Sequence, residues 1–356
     1  MILNVVKTLL PGIVSFAIGI GFAPVLTHFL YAHKMWKPRA GKRALDGSDT
    51  PLFNQLHATR EVSTPKMGGI TVWVATSATA LLLWLLPQII SSGLFSKLDF
   101  VSRGQTWLPL AALLLGALVG LADDFLEVRG RGDYIAGGLS LTKRLAAVSC
   151  IAFLASLWFF YKLEVHAVSL PFLGEIALGH FFIPLFVLIA LAVYSGGVID
   201  GIDGLAGGVF ATMFGAYALI AFFQNQINLA AFCAALVGAI LAFLWFNIPP
   251  ARFYLSETGT MALTLTLTMV AFMTDVLGEG RGIAVLPIIA APLLVTTLSV
   301  IIQVVSKKWR GKKVFLVAPL HHHFEACGWP PSKVTMRYWV LSVLFTTAGT
   351  IVALIG

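Results

Sequence analysis

Ten runs of about 20 predominantly apolar residues follow one another along this chain, at 11–32, 68–92, 108–124, 142–162, 180–198, 205–223, 228–246, 258–277, 282–306 and 334–355. A helix of about 20 residues is long enough to cross the hydrocarbon core of a bilayer. Composition agrees, because 58% hydrophobic and 11% charged residues leave too little polar surface to coat a water-soluble globule of 356 residues. The sequence predicts an all-α integral membrane protein of ten transmembrane helices, with residues 1–356 forming a single polytopic domain. Its N-terminal run reads as a spanning helix, since no small-residue cleavage site follows a short apolar core. Cys150, Cys233 and Cys327 have no close spacing, which excludes a disulfide framework or a zinc site as the basis of function.

Charge sets the sidedness. Basic residues are retained in cytoplasmic loops, and 19 of the 24 Lys and Arg fall in the odd-numbered loops or the helix ends beside them. Odd loops are therefore predicted to be cytoplasmic and both termini periplasmic. The net charge of +8 needs no explanation beyond this retention and attraction to anionic lipid.

Where the acids fall is more informative. Asp123, Asp124, Asp200, Asp203 and Glu257 lie at or near the ends of apolar segments, all on odd loops. Any one of them is explained as a helix cap, but five on one face of the membrane point to a shared site. Asp200 and Asp203 are three apart, so a helical turn puts both on one face, and the surrounding glycines allow close approach by backbone or ligand. Such a pair suits a divalent cation or a ligand's donor groups. Asp123 and Asp124 are adjacent and diverge by about 100° on a helix, so they serve different partners. The same side carries Lys307, Lys308, Arg310, Lys312 and Lys313, followed by APLHHHFEACGWPPSK (318–333) with His321, His322 and His323. Consecutive histidines suit phosphate or metal contacts but cannot all bind one ion.

Six motifs in order, TPKMGG (64–69), GLADDF (120–125), DGIDGLAGG (200–208), FNIPPARFYLSETGT (246–260), IIQVVSKK (301–308) and PLHHHFEACGWPP (319–331), resemble the phospho-N-acetylmuramoyl-pentapeptide transferases over nearly the whole chain. These belong to the polyprenyl-phosphate N-acetylhexosamine-1-phosphate transferase superfamily. The aspartate motifs are common to the superfamily, and HHHFE followed by GWP is characteristic of this branch. The resemblance implies a homodimeric ten-helix enzyme of the bacterial inner membrane with its active site facing the cytoplasm. It would use Mg2+ to transfer phospho-N-acetylmuramoyl-pentapeptide from UDP to undecaprenyl phosphate, giving lipid I and UMP in the first membrane step of peptidoglycan synthesis; no nucleic-acid partner is expected. A transfer between two anions needs a cation and positioned positive side chains more than a strong nucleophile. The lipid tail would stay in hydrocarbon while its headgroup reaches the carboxylates.

Carried over by position, the resemblance implies Asp123 as base for the lipid phosphate and Asp124 as a supporting acid. Asp200, Gly201 and Asp203 would line the nucleotide and metal region, Asn247 and Tyr254 would contact uridine, and Gln303 would fall in the nucleoside pocket. His322 and His323 match substrate-contacting histidines, with His321 beside them. Lys143 or Arg144 would replace a pyrophosphate-binding lysine, and Glu257 stands at the aspartate associated with Mg2+, alongside Asp200 as a metal ligand.

Four positions depart from the family's usual residues. Gly197 lacks the polar side chain usual ahead of Asp200, and Glu257 is one methylene longer than the usual aspartate. Lys66 stands for threonine, and Glu127 for a lysine that often follows the aspartate pair; a compensating exchange is one reading of the last two. The alternatives are a sister transferase using UDP-N-acetylglucosamine, a cation-coupled transporter, and an inactive relative that binds only the carrier lipid. The transporter would place its acids near mid-membrane. Outside the membrane, AVSLPFLGEIALG (167–179) predicts a β-hairpin between the fourth and fifth spans. Pro287 and Pro292 predict a ninth helix that bends or breaks and leans away from the bundle, leaving an opening for a polyprenyl chain.

Overall fold

The computed structural model describes residues 1–38, 62–90, 93–102, 104–131, 138–276 and 281–356. The first eight helices are α1 (Ile2–Ala32), α2 (Ile70–Ile89), α3 (Gly93–Leu98), α4 (Trp107–Val128), α5 (Leu141–Leu157), α6 (Phe182–Ser195), α7 (Leu205–Phe223) and α8 (Ile227–Asn247). They are followed by α9 (Ser256–Val276), α10 (Leu286–Ile289), α11 (Ala291–Arg310), α12 (Leu320–Ala326) and α13 (Pro331–Ile355). A π-helical turn, Trp158–Lys162, lengthens α5. Among the described residues, nine helices are long and apolar enough to cross a membrane.

The eighth predicted run, at 258–277, is present as the 21-residue α9 but is not among those nine. In this helix Thr258, Thr264, Thr266, Thr268 and Thr274 are wholly buried. Hydrogen bonding within the helix explains how. Each of Thr264, Thr266, Thr268 and Thr274 donates its Oγ1 to the carbonyl four residues earlier, at 2.7–3.1 Å. The hydroxyls therefore need no water, and α9 forms the core strut around which α4, α6 and α7 pack.

Small residues bring the helices together. A Cβ on Gly238 of α8 would lie 2.0 Å from the carbonyl oxygen of Gly12 on α1, and one on Gly120 of α4 would lie 2.2 Å from that of Glu257 on α9. Such approaches are open only to glycine. The large apolar side chains left exposed, among them Leu118, Leu188, Leu219 and Trp245, suit a lipid-facing surface.

The hairpin forms where expected. Strands β1 (Ala167–Leu170) and β2 (Gly174–Ala177) pair antiparallel with Leu170 opposite Gly174, closing a three-residue loop. The Leu173 N–H donates to the Leu170 carbonyl to close the turn, in which Phe172 takes a left-handed φ of 62° and Gly174, just after it, one of 84°. Asp275, at the far end of α9 from Glu257, accepts from Ser169 N–H and Ile283 N–H and ties the hairpin to the bundle.

The ninth run is broken, with a corrected boundary. It divides at Ala290, and each piece carries a proline in its first turn, where a missing N–H is harmless. Helix α11 buries only the stripe containing Leu293, Thr296, Ser299, Gln303 and Ser306, and exposes Leu298, Ile301, Ile302, Val305 and Trp309 on its other side. The first run also extends further than predicted, beginning at Ile2 rather than residue 11.

The contact at Gly120 is testable. Gly120→Ala is expected to destabilise the protein by about 1–3 kcal/mol through forced separation of α4 and α9. A Cβ on Gly21 of α1 meets nothing within 4 Å, so Gly21→Ala should be neutral or stabilising by up to about 1 kcal/mol. Equal thermal unfolding of the two variants in detergent would show that the helix pair does not depend on this approach.

Candidate active site

One end of α4 meets the beginning of α9, and there Asp123 and Asp124 diverge as their adjacency requires. Asp124, with no solvent exposure, accepts hydrogen bonds from the Thr258 N–H at 2.9 Å and the Thr258 hydroxyl at 2.6 Å. These donors are available because the first turn of a helix has no carbonyl partner for its N–H groups. Asp123 faces the start of α5 instead. Its Oδ1 accepts the Leu139 N–H, and its Oδ2 lies 3.0 Å from the Arg144 guanidinium.

Arg144 bridges two acids. Its Nη2 pairs with Asp123 and its Nη1 donates to Glu257 Oε1 at 2.7 Å, while Nε donates to the Leu139 carbonyl. A guanidinium suits this role because its donors form a rigid fork. Ser140 caps α5 by accepting the Lys143 N–H, and the Lys143 side chain is exposed. Of the two basic residues read from the sequence, Arg144 is the one held between Asp123 and Glu257.

A second cation sits on the other side. Lys66 Nζ lies 3.3 Å from Asp124 Oδ1 and pairs directly with Glu127 Oε2, and Lys37 Nζ lies 3.0 Å from Glu127 Oε1. Burial alone would lower the Lys66 pKa, but the carboxylates of Asp124 and Glu127 outweigh it and hold the pKa above its ordinary value. Lys66 and Glu127, two of the departures noted in the sequence, are thus partners.

The glycine-rich segment around Asp200 is fastened to the same place. Asp200 accepts the Ser256 N–H at 2.8 Å, one residue before Glu257. Asp203 accepts the Ala251 N–H, and Asn247 accepts the Gly204 N–H while donating to the Phe253 carbonyl. Gly204 adopts a left-handed φ of 76°, and its carbonyl accepts the Trp339 indole N–H. Asp203 and Asn247 therefore hold the loop 249–253 against the start of α7. Tyr254 ties the TPKMGG loop through its backbone, donating to the Pro65 carbonyl and accepting the Gly68 N–H.

Histidines 321 and 322 press on Gly201, where a Cβ would meet His321 Nε2 at 2.4 Å and His322 Nε2 at 2.7 Å. The Nδ1 of His322 lies 2.6 Å from Glu325 Oε2, which fixes the ring. His323 faces elsewhere, toward the Leu316 N–H and the Phe315 ring. Gln303 clamps the same loop, accepting the Val314 and Phe315 N–H groups and donating to the Phe315 carbonyl. Asp123, Asp124, Arg144, Glu257, Asp200, Gly201, His321 and His322 are thus gathered around the start of α9, whereas His323 and Gln303 hold the neighbouring loop. Sequence reading did not single out Lys37, Leu139 or the donor role of Thr258. The threonine after Glu257 in SETGT is the one sequence signal from which the last could be read.

Comparisons with known proteins agree on one family. The Glycosyl transferase family 4 model matches residues 106–275, which hold both aspartate motifs and Glu257. The phospho-N-acetylmuramoyl-pentapeptide-transferase of Chloroflexus aggregans is 34% identical over 343 residues, covering 92% of this chain and 84% of that protein. That of Geobacillus sp. is 32% identical over 295 residues, covering 82% and 84%. That of Bacillus anthracis is 31% identical over 341 residues, covering 94% of each. With its aspartates, arginine and histidines converging at the end of an apolar bundle and relatives aligned along most of its length, the chain belongs to the phospho-N-acetylmuramoyl-pentapeptide-transferase family.

Proposed function

We propose that this protein transfers phospho-N-acetylmuramoyl-pentapeptide from its UDP-linked donor to undecaprenyl phosphate, releasing UMP and forming lipid I. The observation that carries this reading is the convergence of Asp123, Asp124, Glu257 and Arg144 at one end of a buried strut in a chain aligned with these transferases. An oxygen of the lipid phosphate forms a bond to the phosphorus that bears the sugar. The bond from that phosphorus to the UMP phosphate oxygen breaks, and UMP leaves with the electron pair. Asp123 is the group proposed to hold or accept a proton from the lipid phosphate. Asp124 fixes the end of α9, and Arg144 orients Asp123 and Glu257 toward the reacting phosphates. Donor contacts are proposed for Asp200, Gly201, Asp203, Asn247, Tyr254, His321, His322 and the segment around Gln303 and His323.

The residues suit Mg2+. Among the described residues no group of three His, Cys, Asp or Glu side chains is arranged to hold a metal, but Asp200 and Glu257 are brought to adjoining positions through Ser256. Two carboxylate ligands, with water and substrate phosphate completing the shell, are how Mg2+ is ordinarily bound. When bound there, the ion would neutralise charge on the phosphates.

We further infer a homodimer of ten-span subunits in the bacterial inner membrane, with the site cytoplasmic and both termini and the hairpin periplasmic. In support, α9 has 21 residues, about 31 Å at 1.5 Å per residue, and separates Glu257 from the hairpin-bound Asp275 by roughly one hydrocarbon thickness. Radiolabelled UDP-N-acetylmuramoyl-pentapeptide and polyprenyl phosphate in detergent should yield lipid product with Mg2+ and none after chelation. Transfer from UDP-N-acetylglucosamine instead would establish the sister activity, and no transfer by well-folded protein would sink the enzyme reading.

Two substitutions test the roles. Glu257→Gln keeps the shape but loses the charge that holds a hard cation, so transfer should fall by at least about 100-fold, whereas Glu257→Asp should retain measurable activity. Full activity of the Gln variant at saturating Mg2+ would show that the metal is held elsewhere. Arg144→Lys keeps the charge but cannot span both carboxylates, so kcat should drop by about tenfold or more; an unchanged kcat would show that charge alone suffices.

A further inference from the structure

Lys66 and Glu127 are 61 positions apart in sequence and in direct contact beside Asp124. Their surroundings leave little room for independent roles. Asp124 and Glu127 are three residues apart on α4 and so share one face, and the Lys66 ammonium lies against both. The side chains are 13%, 0% and 8% exposed for Lys66, Asp124 and Glu127. In such a place a charge that loses its partner is strongly unfavourable. Lys37 completes the row on the outer oxygen of Glu127.

The backbone that presents Lys66 is equally constrained. Lys66 N–H donates to the Met35 carbonyl, Tyr254 N–H donates to the Pro65 carbonyl, and the N–H groups of Gly68 and Gly69 donate to the carbonyls of Tyr254 and Leu255. The loop is therefore pinned to the segment that leads into Ser256 and Glu257, and the ammonium arrives at Asp124 from a fixed direction. Asp124 is held from α9 by Thr258 and from the loop by Lys66.

We propose that Lys66 is a positioning residue for Asp124 and that Glu127 is its anchor, the two forming one exchange in which the cation beside Asp124 is supplied by the loop rather than by the next turn of α4. A lysine at 127 with an uncharged residue at 66 would supply the same cation from the helix, three residues from Asp124. Either arrangement balances Asp124, and a single change breaks it. Lys66→Thr leaves Asp124 without this ammonium, and Glu127→Lys crowds three ammonium groups together.

The test rests on the transferase reading and uses the full-length protein in detergent: wild type, Lys66→Thr, Glu127→Lys and the double variant, each measured for thermal unfolding and for kcat and KM in transfer. Each single variant is expected to lose about 100-fold in kcat with donor KM changed less than about threefold, and the double variant to return to within about tenfold of wild type. A double variant that is folded but no more active than the weaker single would overturn the exchange. So would a Lys66→Thr variant with kcat within about threefold of wild type, because a purely structural tie would alter unfolding and leave turnover alone. Should the singles fail to fold, a folded and active double variant upholds the proposal and an unfolded one overturns it. Wild-type protein without transfer would instead defeat the transferase reading and leave the exchange to be judged by the unfolding cycle.

Discussion

A carboxylate withdrawn from water has to be met by donors or cations, and the arrangement of this molecule follows from how Asp124 is met. Its partners are the N–H and hydroxyl of Thr258 in the first turn of α9, and they reach it because Gly120, one turn earlier on α4, lets the Glu257 carbonyl come where a side chain would otherwise stand. The first turn of α9 offers unpaired N–H groups and the positive end of the helix dipole. Helix contact and carboxylate satisfaction are thus one interaction. Gly116, whose Cβ would lie 2.9 Å from Met261 O, continues the same close seam toward the middle of the bundle.

The neighbouring charges alternate around that seam. Arg144 stands between Asp123 and Glu257, Lys66 between Asp124 and Glu127, and Lys37 beyond Glu127. Four carboxylates are interleaved with three cations, so each acid in this row has at least one positive neighbour. Buried pairs of this kind add little net stability compared with an apolar core, but breaking one leaves an uncompensated charge at a cost of about 3–5 kcal/mol. Their value lies in fixing where the carboxylates point, which a phosphoryl transfer governed by positioning and electrostatics requires.

Much of this was legible in the sequence, for reasons that also explain the remainder. The spans are legible because lipid demands length and continuity, and the hairpin because strand alternation and a loop glycine are local signals. The break in the ninth run could be read from Pro287 and Pro292, although both begin helical pieces rather than bend one. Helix α9 was found by length, and its threonines can be buried because their hydroxyls are satisfied by carbonyls four residues back. At the site, motifs identify Asp123, Asp124, Asp200 and Glu257 but not their partners. Arg144 reaches Glu257 across 113 positions, Lys66 reaches Glu127 across 61, and Thr258 reaches Asp124 across 134. Such pairings are decided by the packing of three helices and a loop, which no local pattern records.

What joins these distant pieces is the short irregular segment between α8 and α9. Asp203 holds it at Ala251, Asn247 at Phe253, the TPKMGG loop at Tyr254 and Leu255, and Asp200 at Ser256. Ser256 itself takes a left-handed φ of 58° as the chain turns into α9. Non-glycine residues adopt this conformation only at some cost, and it persists where the surroundings over-determine it. Here they do, with ties on both sides of the turn. The aspartates and asparagine of this region thus spend part of their hydrogen-bonding capacity on shaping the segment that presents Glu257. A residue in the site can then matter to chemistry without touching a reacting atom. Asp200, Asp203 and Asn247 direct backbone ties along 247–256, and the row of charges from Arg144 to Lys37 runs across the seam of α4 and α9.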